Sequence, residues 1–114
     1  MKLDEICQKL SLQAKTTAGK VGREVTGGYA SDLLSCVMAK AQAGNIWVTL
    51  QAHPNIVAVA SLLNLSGIII TEGVTPDEAT VSKAEEEGIP LLTTALTTFT
   101  VVGKLFTLGI RGVD

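Results

Sequence analysis

A short strand that is apolar on both faces constrains the fold of this 114-residue chain more than any other feature. Residues 68–71 read Ile-Ile-Ile-Thr and follow a glycine, Gly67. A strand with one solvated face alternates apolar and polar residues, whereas a parallel strand between two layers of helices is apolar throughout. The segment therefore predicts a buried parallel strand in an α/β fold.

Helices to cover such a strand are predicted before and after it along the chain. Strands are predicted at residues 45–51, 68–71 and 89–93, and helices at residues 54–63, 75–87 and 97–108. Thr75, Pro76 and Glu78 have the order of a capping box, with the proline in the first helical position. Successive strand–loop–helix units form right-handed crossovers between parallel strands. We therefore predict one domain over residues 1–114, a layered α/β sandwich with a largely parallel central sheet.

The first third of the chain is less regular and contains a double glycine. Helical spacing of apolar residues predicts a helix over residues 3–10, and residues 12–17 and 23–26 are candidate strands. A helix with an apolar stripe follows Ser31 and ends before Gly44. The segment between the second candidate strand and this helix reads Thr26, Gly27, Gly28, Tyr29. A glycine pair before a helix leaves backbone amides that can hold anions and polar ligands.

Composition and charge exclude several classes of function. Hydrophobic residues make up 46% of the chain and charged residues 18%, which is typical of a folded domain. The net charge is −2 and the basic residues form no cluster, so neither nucleic acid nor an anionic membrane is an expected partner. The N-terminus has no apolar signal region, and no apolar run reaches the ~18 residues of a membrane span. We expect a cytoplasmic protein with reduced Cys7 and Cys36.

Polar residues are predicted to converge at one edge of the sheet. The loops after parallel strands all lie at its carboxyl edge, which is where open α/β sheets bind ligands. The candidate ligand-binding residues on these loops are Thr26, Gly27, Gly28, Tyr29, His53, Thr71, Glu72, Thr93 and Thr94. Helix starts require the same residue types for capping, so part of this set also has a structural explanation.

The glycine pair has two interpretations. Gly27 and Gly28 would let the backbone approach a phosphate or a carboxylate, or they would form a turn that needs positive φ. Ser31 and Asp32 favour the second interpretation, because their side-chain oxygens can satisfy the free amides. The carboxylate of Asp32 would in addition repel an incoming anion.

His53, the only histidine, also has two interpretations. It is either a base or ligand contact, with Glu72 as its partner in acid–base catalysis, or a loop residue held by backbone hydrogen bonds.

No metal site is expected, because one histidine and two distant cysteines form no ligand cluster. Residues 18–21 lack the first glycine and the hydroxyl residue of a phosphate loop. We therefore predict no cofactor and no enzymatic activity.

Several separated motifs together resemble one known family. Residues 26–35, 53–55, 67–71 and 86–92 are similar, in order and spacing, to the DRTGG domain. Thr26, Gly27 and Gly28 match the motif that gives the family its name. Glu24 and Val25 stand where the family has aspartate and arginine. The missing arginine weakens any charge-based recognition attributed to the motif.

The resemblance implies a fold and a class of function. The fold is that of the N-terminal domain of HPr kinase/phosphorylase, which is similar to the N-terminal domain of Mur ligases. Members of the family occur beside paired CBS domains in regulated pyrophosphatases and before some phosphotransacetylases, and some stand-alone members are encoded near iron-hydrogenase genes. These settings imply a non-catalytic regulatory or protein-interaction domain that is commonly a homodimer. The alternative is a sensor of a nucleotide or another small anionic metabolite that uses the loops of residues 26–29 and of His53.

The last predicted helix is capped by Thr97 and ends at Gly109. It carries the apolar residues Phe99, Val102, Leu105, Phe106 and Leu108.

A homodimer also has a physical reason. A small α/β sheet with few layers leaves an apolar helix or strand face uncovered, and two-fold pairing would cover it.

Overall fold

The computed structural model describes residues 1–17 and 22–114. In this part of the chain the helices are α1 (Leu3–Leu10), α2 (Leu34–Lys40), α3 (Asn55–Leu62), α4 (Glu78–Glu87) and α5 (Thr98–Thr107). The strands are β1 (Gln13–Ala14), β2 (Gly27–Ala30), β3 (Asn45–Thr49), β4 (Gly67–Ile70) and β5 (Leu91–Thr93). The segment compared above with a phosphate loop, residues 18–21, lies outside the described residues. None of the described helices has the length and hydropathy of a bilayer span.

The described strands form one sheet in the order β1-β5-β4-β3-β2. The neighbours from β2 to β5 are parallel, and β1 pairs with β5 in the antiparallel direction. Each crossover from β2 to β5 steps one strand in the same direction. Because these crossovers are right-handed, α2, α3 and α4 fall on one face of the sheet, and α1 and α5 cover the other. The predicted layered α/β sandwich is confirmed.

The central strand β4 contributes to both hydrophobic cores. Ile68 and Ile70 pack with Trp47 under α2, α3 and α4, whereas Ile69 belongs to the core under α1 and α5. All three isoleucines are fully buried. Burial of one such side chain stabilises the fold by about 1.5–3 kcal/mol. The predicted burial of this strand on both faces is therefore confirmed, and it holds the two helix layers to one sheet.

The predicted capping box at Thr75 is wrong, because α4 begins three residues later. Asp77 is the N-cap, with extended backbone and no side-chain cap, and its carbonyl accepts hydrogen bonds from the amides of Thr80 and Val81. The amide of Asp77 and the hydroxyl of Thr80 both donate to the carbonyl of Ala52, at 3.3 and 2.6 Å. These contacts with the β3–α3 loop place the helix start, and local sequence does not reveal them.

Other helix ends agree with the sequence. The Thr97 hydroxyl oxygen accepts a hydrogen bond from the amide of Thr100 at 3.3 Å, so the predicted cap of α5 is confirmed. Gly88 follows α4 with φ of 69°, and Gly109 follows α5 with φ of 97°. Both glycines take the left-handed conformation that commonly ends a helix.

The two candidate strands of the first third are less extensive than predicted. Only Gln13–Ala14 of the first segment pairs with β5. The second segment, residues 23–26, contains a single isolated bridge between Lys2 and Glu24. The strand starts at Gly27 instead, inside the predicted loop, and this difference changes the position of the whole motif.

Helix α5 turns only part of its predicted apolar set toward the sheet. Leu105 is buried together with Val101. Phe99, Val102 and Phe106 are 89%, 40% and 58% exposed, and we call these three residues the α5 patch. The helix thus has an apolar face that the described chain does not cover.

Candidate functional site

The Thr-Gly-Gly motif lies at the amino edge of the sheet, so the prediction that it shares a site with the other loops is wrong. Gly27 pairs with Asn45, which is the first residue of β3. His53, Thr71 and Thr94 follow the carboxyl ends of β3, β4 and β5. The length of β3, about 13 Å, separates the two edges. The cause is the late start of β2, at Gly27 instead of residue 23, which places the glycines inside a strand.

Thr26 holds the loop before β3. Its hydroxyl donates to the carbonyl of Ala43 at 3.0 Å and accepts from the Asn45 amide side chain at 3.3 Å. Its backbone amide donates to the carbonyl of Gly44. Gly44 has φ of 83°, and a Cβ there would lie 2.7 Å from the Thr26 side chain. Thr26 therefore packs against Gly44, where the side chain of any other residue would collide with the threonine.

The glycine pair allows a close approach of the segment after α5. The amide of Gly28 donates to the carbonyl of Arg111 at 2.9 Å. A Cβ on Gly27 would lie 2.9 Å from the same carbonyl oxygen. Neither glycine has positive φ, so the turn interpretation is wrong, and the Gly28 amide is not free for an anion. The pair instead makes room for Ile110 and Arg111 beside β2.

Asp32 binds the end of β3 and does not cap α2. Its Oδ1 accepts hydrogen bonds from the Thr49 hydroxyl at 2.8 Å and from the Leu50 amide at 2.9 Å. Ser31 remains next to the helix start, where its Oγ accepts from the amide of Leu33 at 3.1 Å. The expectation that both side chains satisfy amides before α2 is thus correct only for Ser31.

His53 opens helix α3. Its Nδ1 accepts a hydrogen bond from the amide of Asn55 at 3.1 Å, and the side chain is exposed. Of the two interpretations of this residue, the structure has the loop histidine that is held by the backbone.

Thr71 and Glu72 belong to the start of α5. The Glu72 Oε2 accepts from the amide of Thr98 at 2.8 Å, and the hydroxyls of Thr71 and Thr98 are 2.6 Å apart. Glu72 adopts φ of 65°, which is unusual for a residue with a side chain. In the described chain no hydrogen bond joins His53 to Glu72, because each side chain is bonded to the start of a different helix. The acid–base pair, one of the two interpretations of His53, is therefore not joined by a hydrogen bond in this part of the chain.

Thr93 and Thr94 line an open cleft of about 560 Å³ at the carboxyl end of β5, which we call the β5 cleft. The other residues that line it include Ser11, Gln13, Lys15, Gly73 and Thr75. Lys15 makes no ion pair among the described residues, so the cleft presents a cation beside several hydroxyl groups. No local sequence signal indicates Lys15, since only the antiparallel pairing of β1 brings it to β5.

A second cavity, of about 320 Å³, lies at the other outer strand, and we call it the β2 pocket. Its walls are the backbone of β2, the side of α5 and the segment after α5. The residues that line it include Ala30, Lys40, Val48, Val102, Leu105, Phe106, Ile110, Arg111 and Asp114. The Arg111 guanidinium carbon lies 4.1 Å from the Phe106 ring centroid, and its Nη1 donates to the Phe106 carbonyl at 2.8 Å. Gly28 and Tyr29 of the predicted set line this pocket, whereas no sequence signal indicated Lys40 or Arg111.

The cysteines and acidic residues form no metal centre in the described part of the chain. No group of three or more histidine, cysteine, aspartate or glutamate side chains is placed to hold a metal ion there. Cys7 and Cys36 are free thiols. Burial raises the pKa of the Cys7 thiol, and the nearby Asp4 carboxylate raises this pKa further. Such a thiol is a weak nucleophile near neutral pH.

Comparison with known families identifies the chain. The family model described as the DRTGG domain matches residues 24–108, which run from the start of the motif to the end of α5. The chain belongs to the DRTGG domain family. DRTGG domains form a family of regulatory domains, so membership agrees with the predicted regulatory class of function. A comparison with curated protein sequences finds no match.

A solved structure shares the fold of this DRTGG domain. It is the crystal structure of the CBS and DRTGG domains of the regulatory region of Clostridium perfringens pyrophosphatase, complexed with the activator diadenosine tetraphosphate. The TM-score is 0.72 at 22% sequence identity. The likeness covers 96% of this chain but only 47% of that one, so the chain spans about half the length of the pyrophosphatase region. At this identity the likeness shows the fold alone.

Proposed function

We propose that this DRTGG domain is a non-catalytic regulatory domain that acts as a homodimer. One observation carries the first part of the proposal. The side chains at the carboxyl edge that are suited to acid–base chemistry, His53 and Glu72, each accept a backbone amide at a helix start. Groups fixed in this way stabilise the fold and are not poised on a shared substrate position. The regulatory family and the regulatory region of the pyrophosphatase support the same conclusion.

The α5 patch supports the second part of the proposal. Phe99 is 89% exposed, which is unusual for a large aromatic side chain on a helix that also faces a core. A phenylalanine buries about 150–250 Å² when it is covered, and each partner of a standard interface buries about 800 Å². Phe99 and Phe106 thus supply a substantial part of the apolar area that a dimer needs.

The spacing of the α5 patch suits a two-fold pairing of helices. Phe99 and Phe106 lie at equal distances in sequence from the boundary between Val102 and Gly103. Gly103 has open space on its side-chain face, which permits close approach of a second helix. An antiparallel α5 pair that crosses at this boundary places Phe99 of one copy opposite Phe106 of the other. Such a contact is self-complementary, as a closed dimer requires.

Light scattering over a concentration series tests the dimer. We expect the unaltered chain to have the mass of a dimer at tens of micromolar, and Phe99→Glu to be a monomer because it places a charge inside the apolar contact. Leu62→Glu is the matched control, since Leu62 is a 71% exposed apolar residue on α3. A monomeric unaltered chain, or equal dissociation by both variants, contradicts the proposal.

The β5 cleft supports a second candidate function, the sensing of a small anionic ligand. Lys15, Thr93 and Thr94 meet there at the carboxyl edge of the sheet, where α/β proteins bind ligands. A bound anion raises the melting temperature by mass action. Thermal shifts with inorganic phosphate and nucleotides test this function, and Lys15→Met removes the expected shift while Lys83→Met retains it. A cytoplasmic location stays a prediction from the sequence, and an association with iron hydrogenases stays a prediction from the resemblance.

A further inference from the structure

We propose that the β2 pocket binds a small amphipathic anion, a molecule with a flat apolar body and a single carboxylate, phosphate or sulfonate group. This site goes beyond the functions proposed above, because it lies at the opposite outer strand from the β5 cleft. It also differs from the predicted site, of which it contains only Gly28 and Tyr29.

The pocket has an apolar interior and a size that suits a small molecule. Val48, Leu105 and Ile110 are buried residues of the core under α1 and α5, and they form its base. Val102 and Phe106 of the α5 patch, which are exposed in the single chain, form one side. Its volume of about 320 Å³ is at the lower end of the range for small-molecule sites. Covering these side chains with an apolar body removes them from water, which favours binding.

The backbone of β2 offers one hydrogen-bond donor to the occupant. Ser31 donates its amide to Val48 of β3, so by the alternation of a strand the amides of Gly28 and Ala30 point away from β3. The Gly28 amide is bonded to Arg111, whereas the Ala30 amide has no partner among the described residues. A longer peptide strand on this edge would have to displace the Arg111 segment, and a small acceptor group does not.

The charges at the pocket favour an anionic group. Lys40 at the end of α2 and Arg111 bring two positive charges, and Asp114 brings one negative side chain. The Arg111 guanidinium is held in place by the Phe106 ring and by the Phe106 carbonyl, so its remaining donors are already oriented. The Lys40 ammonium and the oriented Arg111 guanidinium therefore lie beside an apolar wall, where they can pair with the anionic group of an amphipathic molecule.

Two fluorescent probes of similar shape and different charge test the proposal. Anilinonaphthalene sulfonate carries an anionic group, and phenylnaphthylamine is its uncharged counterpart. We expect saturable binding of the sulfonate with one site per chain. Lys40→Met should weaken this binding about threefold, and Asp114→Asn should tighten it by a similar factor, because exposed charge pairs contribute modestly. Neither substitution should change the affinity for the uncharged probe.

Two further variants locate the binding. Ala30→Leu fills the pocket from β2 and should weaken the binding of both probes, whereas Lys83→Met removes a charge from α4 on the other face and should change neither. The proposal is overturned if the sulfonate does not bind, or if Lys40→Met and Lys83→Met have equal effects. Val102 and Phe106 belong both to the α5 patch and to the pocket, so probe binding is measured on Phe99→Glu as well as on the unaltered chain. Binding to the Phe99→Glu variant that still depends on Lys40 supports the pocket whichever result the dimer test gives.

Discussion

Helices α3 and α5 lie on opposite faces of one sheet, and α3 buries more of its apolar residues than α5 does. Ile56, Val57 and Val59 of α3 are buried. In α5, which is similarly apolar, Val101 and Leu105 are buried while Phe99 is 89% exposed. The difference shows that apolar spacing marks residues that are suited to burial without showing what covers them. The exposed residues of α5 are where a partner or a ligand is expected.

The largest expected effect is the difference in stability loss between truncating a core residue and truncating a residue of the α5 patch. Ile68→Ala should lower the free energy of unfolding by about 3–4 kcal/mol, because it leaves a cavity at a fully buried position. Phe99→Ala should change it by less than about 0.5 kcal/mol, since the side chain has little to lose in the monomer. Urea unfolding at low protein concentration measures both values. A large loss for Phe99→Ala would mean that α5 packs differently from the described structure.

A smaller effect is expected at the glycine pair, where the segment after α5 meets β2. Gly27→Ala should destabilise the fold by about 1–3 kcal/mol, because its Cβ would lie 2.9 Å from the Arg111 carbonyl oxygen. Gly28→Ala should cost less than about 1 kcal/mol, since the closest atom to its Cβ is a side-chain methyl group of Ile110 at 3.4 Å. Thermal and urea unfolding compare the two. Equal losses would show that this segment is easily displaced.

The third comparison concerns the start of α5, where two substitutions of Glu72 are expected to differ in their effect on stability. Glu72→Ala should cost about 1 kcal/mol, because the Thr98 amide loses its acceptor while the positive φ remains. Glu72→Gly should cost less, since glycine adopts a φ of 65° without strain and offsets the lost hydrogen bond. The unfolding free energies of the two variants decide this. A larger loss for glycine than for alanine would show that φ at this position stores no strain.

The smallest effect concerns the thiol on α1. Because burial and Asp4 raise the pKa of Cys7, its alkylation by iodoacetamide should begin to accelerate at higher pH than that of a free cysteine. The folded-state pKa is raised, so this thiol lowers the stability only at pH values above the pKa of an unfolded cysteine. Asp4→Asn should move the labelling profile to lower pH, and mass spectrometry of the Cys7 peptide measures it. An unchanged profile would contradict the contribution of Asp4.

The site was less predictable than the fold, and β2 shows why. Residues 23–26 have the composition of a strand, but the strand begins at Gly27, because pairing with Asn45 and close contact with Arg111 favour the small residue there. That shift moved the motif to the opposite edge of the sheet. Lys15, Lys40 and Arg111 carry no local signal, since they reach the β5 cleft and the β2 pocket only through the packing of distant segments.

The sequence by itself determined the family, the order of most elements and the burial of the central strand. These follow from local spacing and composition: three consecutive isoleucines in β4 fit only a strand that is covered on both faces. Tertiary structure alone decided which polar groups meet and which apolar residues stay outside. Hydrogen-bond partners such as Glu72 and Thr98 are 26 residues apart in sequence. The exposure of Phe99 depends on where α5 rests on the sheet, which no local pattern encodes.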